Sequence, residues 1–103
     1  MPRTTENHKH KLDHILIGCR VKWVREAMGI PQVAVAKAIG TVPPNYSGIE
    51  RGKRRVTVEQ YYGFLIEYGI KPDFFLTGNI YSLPEALLLK AKSQKESSEL
   101  FKL

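Results

Sequence analysis

Gln32-Val33-Ala34-Val35-Ala36-Lys37-Ala38-Ile39-Gly40-Thr41-Val42-Pro43-Pro44-Asn45-Tyr46-Ser47-Gly48-Ile49-Glu50 decides the fold. Val35, Ala36 and Ile39 share one face of a helix over about 32–39. Gly40 follows, able to adopt the positive φ that a sharp turn needs. Pro43 and Pro44 then open a second helix over about 43–50, where missing N–H groups cost nothing. Tyr46 and Ile49 pin that helix to a core and leave its opposite face exposed. Two short helices joined by a glycine-containing turn make a helix-turn-helix. Small Ala36 allows the two helices to cross closely.

Working outward, Ile15–Met28 reads as a helix with Leu16, Val21, Val24 and Met28 at helical spacing and Gly29 as its stop. Ile17 and Trp23 flank that stripe. After Glu50 comes a basic turn, Arg51-Gly52-Lys53-Arg54-Arg55. Thr57 and Gln60 form a capping-box pattern and open a fourth helix expected to bury Val58, Tyr61, Phe64, Leu65 and Tyr68. Pro72 opens a fifth helix ending near Gly78. Ser82 and Glu85 read as a second capping box, opening a sixth helix through Leu87, Leu88 and Leu89. Beyond Ser93 the chain is polar and is expected to fray. No alternating strand pattern is present, so the class is all-α. The domain organisation expected is a basic polar arm over 1–14, a helix-turn-helix domain over 15–78, and a C-terminal helix with polar tail over 79–103.

At this point the resemblance is plain. Arg25, Gly29, Gln32, Val35, Ala36, Ile39, Gly40, the run Ile49-Glu50-Arg51-Gly52-Lys53, and the closing Phe74-Phe75-Leu76-Thr77-Gly78 resemble the Cro and phage-repressor (XRE) helix-turn-helix family. The resemblance implies a five-helix lambda-repressor-like domain, here with an additional C-terminal helix. It implies a third helix lying in the DNA major groove, Gln32 meeting a backbone phosphate, and an ion pair between Arg25 and Glu50. It also implies phosphate contacts just past the recognition helix, at Arg51, Lys53, Arg54 and Arg55. The chain departs from the family at Pro43, Pro44 and Gly48, where members commonly carry long polar side chains. Bidentate base readout from those positions is absent. Thr41, Asn45, Ser47 and the Tyr46 ring edge are left, with apolar contact of Pro43 and Pro44 against thymine methyls.

Charge agrees with a polyanionic partner. The net charge is +6 over 103 residues, yet it is segregated. Residues 15–55 carry +6, residues 56–89 carry −3, and the two ends carry +1 and +2. A basic half beside an acidic stretch suits a nucleic acid better than a uniform solubility charge does. The expected function is a sequence-specific double-stranded DNA-binding transcriptional regulator, a repressor of bacterial or phage type acting as a homodimer. The alternative is an antitoxin or another protein-binding helix-turn-helix module, with a toxin as partner and little DNA readout.

Other constellations carry less. His8, His10 and His14 have spacings that a metal can share, but a solvated arm, or an arm reaching into a groove, is the plainer reading. Cys19 beside Arg20 reads as a packing or surface cysteine. No phosphate loop, nucleophile elbow or zinc-protease motif is present, so no enzyme and no cofactor are expected. With one cysteine, no leader-like apolar stretch and no apolar run near the ~18 residues of a membrane helix, a cytoplasmic protein without membrane contact is expected. Leu83, Leu87, Leu88 and Leu89 exceed what a five-helix domain needs. They either cap the protomer's own core or form a dimer interface.

Overall fold

The computed structural model describes residues 10–94 and 99–101. Among these, six α-helices follow in order: α1 His14–Met28, α2 Gln32–Ala38, α3 Pro43–Glu50, α4 Val58–Tyr68, α5 Pro72–Thr77 and α6 Glu85–Lys92. A 3₁₀ turn, Ile80–Ser82, links the last two. The helical class and the order of elements agree with the sequence, and no strand occurs among the described residues.

Local chemistry sets most boundaries. Asp13 Oδ1 accepts from the Leu16 amide at 3.0 Å and so starts α1. Thr57 and Gln60 form the expected reciprocal cap on α4, at 3.1 and 2.9 Å. Gly40 stands at φ 82°, the left-handed backbone that the α2–α3 turn requires. The second capping box does not form. Ser82 lies in the 3₁₀ turn and its hydroxyl donates to the Asn79 carbonyl at 2.7 Å. Leu83 is extended at ψ 152°, as expected of a residue preceding proline, so α6 starts only at Glu85.

The core is built from Ile17, Val21 and Val24 of α1, Val35 and Ala36 of α2, Tyr46 and Ile49 of α3, and Phe64, Phe74 and Phe75 behind them. Two expectations need correction. On α4 only Phe64 is buried; Val58 is 79% exposed, and Leu65 also faces outward with Tyr62 and Ile66. The 3.6-residue rotation puts Val58, Tyr62, Leu65 and Ile66 on one side of α4, opposite the Gly63–Phe64 side that meets the core. An apolar pattern alone fixed the stripe but not which of two stripes turns inward.

The C-terminal segment, expected as a polar tail, instead returns to the domain. Phe101 is buried and packs edge-on against Trp23, with ring centroids 5.1 Å apart. Its attachment depends on Arg20, which lies buried in α1 rather than on a basic surface. Arg20 donates to the Leu100 carbonyl at 2.7 Å and to the Phe75 carbonyl at 3.0 Å. Burial pushes its pKa down, yet a guanidinium stays charged, and these carbonyls take the place of a carboxylate partner. Leu83 and Leu87 are buried in the same protomer, while Leu89 is exposed.

Candidate nucleic-acid interface

The site is built on how α3 is held. Glu50, its last residue, is buried beneath α1 and α2 with its side chain 4% exposed. Arg25 of α1 donates from Nε to Glu50 Oε2 at 2.6 Å and from Nη2 to Oε1 at 3.2 Å. Gln32 of α2 donates to Oε1 at 2.9 Å, and Tyr46, one turn earlier on α3, donates its hydroxyl to Oε2 at 2.6 Å. Three helices thus converge on one carboxylate. The fork of Arg25 gives a bidentate contact that fixes angle as well as distance. The Arg25–Glu50 pair implied by the resemblance is present. The parts of Gln32 and Tyr46 in the same network were not anticipated. A tyrosine on an apolar stripe, four residues from a glutamate on the same helix, is the signal that was available, because a buried phenol needs a partner.

Burial alone pushes the Glu50 carboxyl pKa up, but the hydrogen bonds from Arg25, Tyr46 and Gln32, with the charge of Arg25, hold it below the ordinary carboxylate range. The same contacts raise Arg25, and burial, followed by the bond to Glu50, pushes the Tyr46 phenol up. The sign for stability follows. A folded-state pKa below the unfolded one stabilises above the unfolded value of about 4.3, and that stabilisation is lost as pH falls through the folded value. Glu50→Gln is therefore less stable than the parent near neutrality, and the gap narrows as pH drops below about 4. Urea denaturation of both proteins at several pH values measures it; a gap that widens in acid contradicts the assignment.

The outward side of α3 carries the residues predicted to meet DNA. Pro43 and Pro44 are exposed at its start, and Thr41, Asn45 and Ser47 are half-buried. Ser47 is not a free hydroxyl, since Arg51 Nη1 donates to its Oγ. Residues 51–55 form the turn after α3, where Arg51, Lys53, Arg54 and Arg55 are all exposed. The amides of Lys53 and Arg54 fold back onto the Gly48 carbonyl, at 2.8 and 3.2 Å, so the basic turn lies against α3. Gln32, expected at a phosphate, has its side-chain amide on Glu50; a second N–H remains on the same nitrogen. Arg20 and Arg25 leave the basic surface for the interior, while Lys22 and Lys37 stay exposed. His8 lies outside the described residues, and no group of metal-ligating side chains occurs among the described ones.

Residues 21–75 match the family model of the helix-turn-helix, more than half of the chain and all of α2 and α3. The chain belongs to the Cro/C1-type (XRE) helix-turn-helix family. The crystal structure of the clp gene regulator ClgR from Corynebacterium glutamicum has the same fold, with a TM-score of 0.58 at 19% identity, covering 88% of this chain and 92% of that one. No curated protein sequence matches this helix-turn-helix protein. No helix among its described residues is long and apolar enough to cross a membrane.

Proposed function

We propose that this helix-turn-helix protein is a transcriptional regulator, a repressor of bacterial or phage type, that binds an operator in double-stranded DNA as a homodimer. The observation that carries this reading is the exposed basic turn, Arg51 to Arg55, folded against the outward face of a helix locked in place through Glu50. Arg51, Lys53 and Arg55 anchor the phosphates beside the groove, with the remaining N–H of Gln32 at the start of α2. Asn45, Ser47, Thr41 and the two prolines meet the base edges and contribute modest direct readout, with DNA shape adding to it. A second copy places the same surface on the other half of a two-fold site.

A second reading, an antitoxin or another protein-binding module, draws support from α4. Val58, Tyr62, Leu65 and Ile66 present an apolar stripe that the protomer's own core does not cover.

Selection of bound DNA from a random pool, followed by affinity measurements over a range of salt, distinguishes the two. The regulator yields an inverted repeat with half-sites about one helical turn apart. Three phosphate-anchoring cations per protomer give a log–log salt slope of about −5 for the dimer, at ~0.9 per contact. Sedimentation of the free protein shows twice the 11.7 kDa chain mass. A salt-independent affinity, or no binding at low salt, rejects the DNA reading in favour of a protein partner.

A further inference from the structure

Gly48 occupies an unusual place for a residue without a side chain. Tyr46, Ile49 and Glu50 define the buried side of α3, and at 100° per residue Gly48 falls on the opposite, outward side, one turn beyond Pro44. A residue there should be open to solvent, yet Gly48 is buried. Arg54 covers it. A Cβ at Gly48 would stand 2.9 Å from Arg54 Cδ and 3.0 Å from Cγ, so the arginine stem runs directly over the missing side chain. The turn amides bonded to the Gly48 carbonyl bring Arg54 to that position.

We propose that Arg54 is the principal base-reading residue of this interface, and that Gly48 is the slot that seats it. The inference rests on the DNA-binding reading above and names its specificity determinant. The outward face of α3 offers no long donor of its own: Pro43, Pro44 and Gly48 lack one, and the Ser47 hydroxyl is engaged by Arg51. Arg54 brings one in from the following turn. With Cγ and Cδ lying over Gly48, Nε, one bond farther on, begins the guanidinium at the outward surface of α3. The small residues beneath make that face thin, so the helix can approach the groove floor closely. A guanidinium there matches the O6 and N7 acceptors of guanine with two parallel hydrogen bonds. The three atoms nearest the Gly48 Cβ position all belong to Arg54, and Arg55, next in the chain, keeps the phosphate role.

Arginine and lysine separate a base contact from a phosphate contact, because both carry the charge but only arginine offers the planar fork. The test is selection from a random duplex pool with the parent protein, Arg54→Lys, Arg54→Ala, Arg55→Ala and Gly48→Ala, with circular dichroism to verify folding. The parent selects a site containing a guanine in each half. Arg54→Lys keeps the salt slope and loses about tenfold or more of the preference for that guanine over other bases. Gly48→Ala, whose methyl displaces the flexible stem, reproduces the loss with all charges present. Arg55→Ala weakens every sequence alike. If Arg54→Lys keeps the full guanine preference and Arg54→Ala weakens all sequences equally, Arg54 is a phosphate anchor and the inference is wrong. If the parent itself fails to bind duplex DNA at low salt, the functional reading falls, and this inference with it.

Discussion

Glu50→Ala lowers the unfolding free energy by about 3–5 kcal/mol, the range for removing one partner of a buried ion pair. The substitution strands two groups at once. Arg25, with its side chain only 14% exposed, keeps its charge and loses both contacts to Glu50, leaving a hydrogen bond to the Ile30 carbonyl at 3.2 Å and the exposed Glu26 carboxylate at 4.0 Å. The Tyr46 hydroxyl, in a fully buried side chain, loses its acceptor, and a buried unsatisfied donor costs a further 1–3 kcal/mol by itself. Repair by solvent is restricted, since Val24, Val35 and Ile49 are all buried in the same core. Chemical denaturation measures the loss as a fall in midpoint at constant slope. The double variant Arg25→Met, Glu50→Leu costs less than the sum of its single changes, because it removes the charge along with its partner. Strict additivity in that cycle contradicts the network. DNA affinity falls further than the folded fraction does, because α3 loses the contact that fixes its angle to α1 and α2.

How much of this was legible in the sequence depends on the range of the interaction. Local signals were sufficient for the helices, for the turn at Gly40 and for the Thr57–Gln60 box, since each rests on neighbours within four residues. They were insufficient where two local patterns compete. Val58, Tyr62, Leu65 and Ile66 are as regular an apolar stripe as the buried one, and only long-range packing, Ile39 against Gly63 and Phe75 against Phe64, decides which side of α4 turns inward. The charge pattern does not say which cations reach the surface. Arg20 counts as a surface cation by composition, but its acceptors lie 55 and 80 residues away, on α5 and in the C-terminal segment. No spacing rule reaches that far. The burial of Phe101 is illegible for the same reason, since it is a single aromatic in a polar stretch whose partners, Trp23 and Phe74, are remote in the chain. In the turn after α3 the exposed basic run was legible, but the seating of Arg54 over Gly48 was not, because it depends on Gly48 having no side chain at the point where the turn folds back.

Gly18→Ala is expected to act against its own helix propensity. In an exposed helix interior this change stabilises by about 1 kcal/mol, because alanine is the better helix former. Gly18 sits in the middle of α1, where a glycine with no turn to make signals close packing. A Cβ there would lie 2.4 Å from the Ile49 carbonyl oxygen and 2.7 Å from that of Glu50. Both are backbone atoms at the end of α3, so no side-chain rotation relieves the contact. The 2.4 Å separation must open to at least 3.0 Å, and α1 and α3 must part to allow it. Overpacking of this kind costs about 1–3 kcal/mol, which outweighs the propensity gain and leaves a net loss. The displacement falls on the residue that three donors hold at 2.6–3.2 Å, so α3 moves away from the orientation set by Arg25, Gln32 and Tyr46. The expected result is therefore lower stability by thermal or urea denaturation, with DNA affinity reduced even at temperatures where the variant is fully folded. Cys19→Ala is the control, one residue along the same helix and exposed, and it changes neither property appreciably. A Gly18→Ala protein more stable than its parent would mean that the α1–α3 contact yields at no cost, and that α3 is held by the Glu50 network alone.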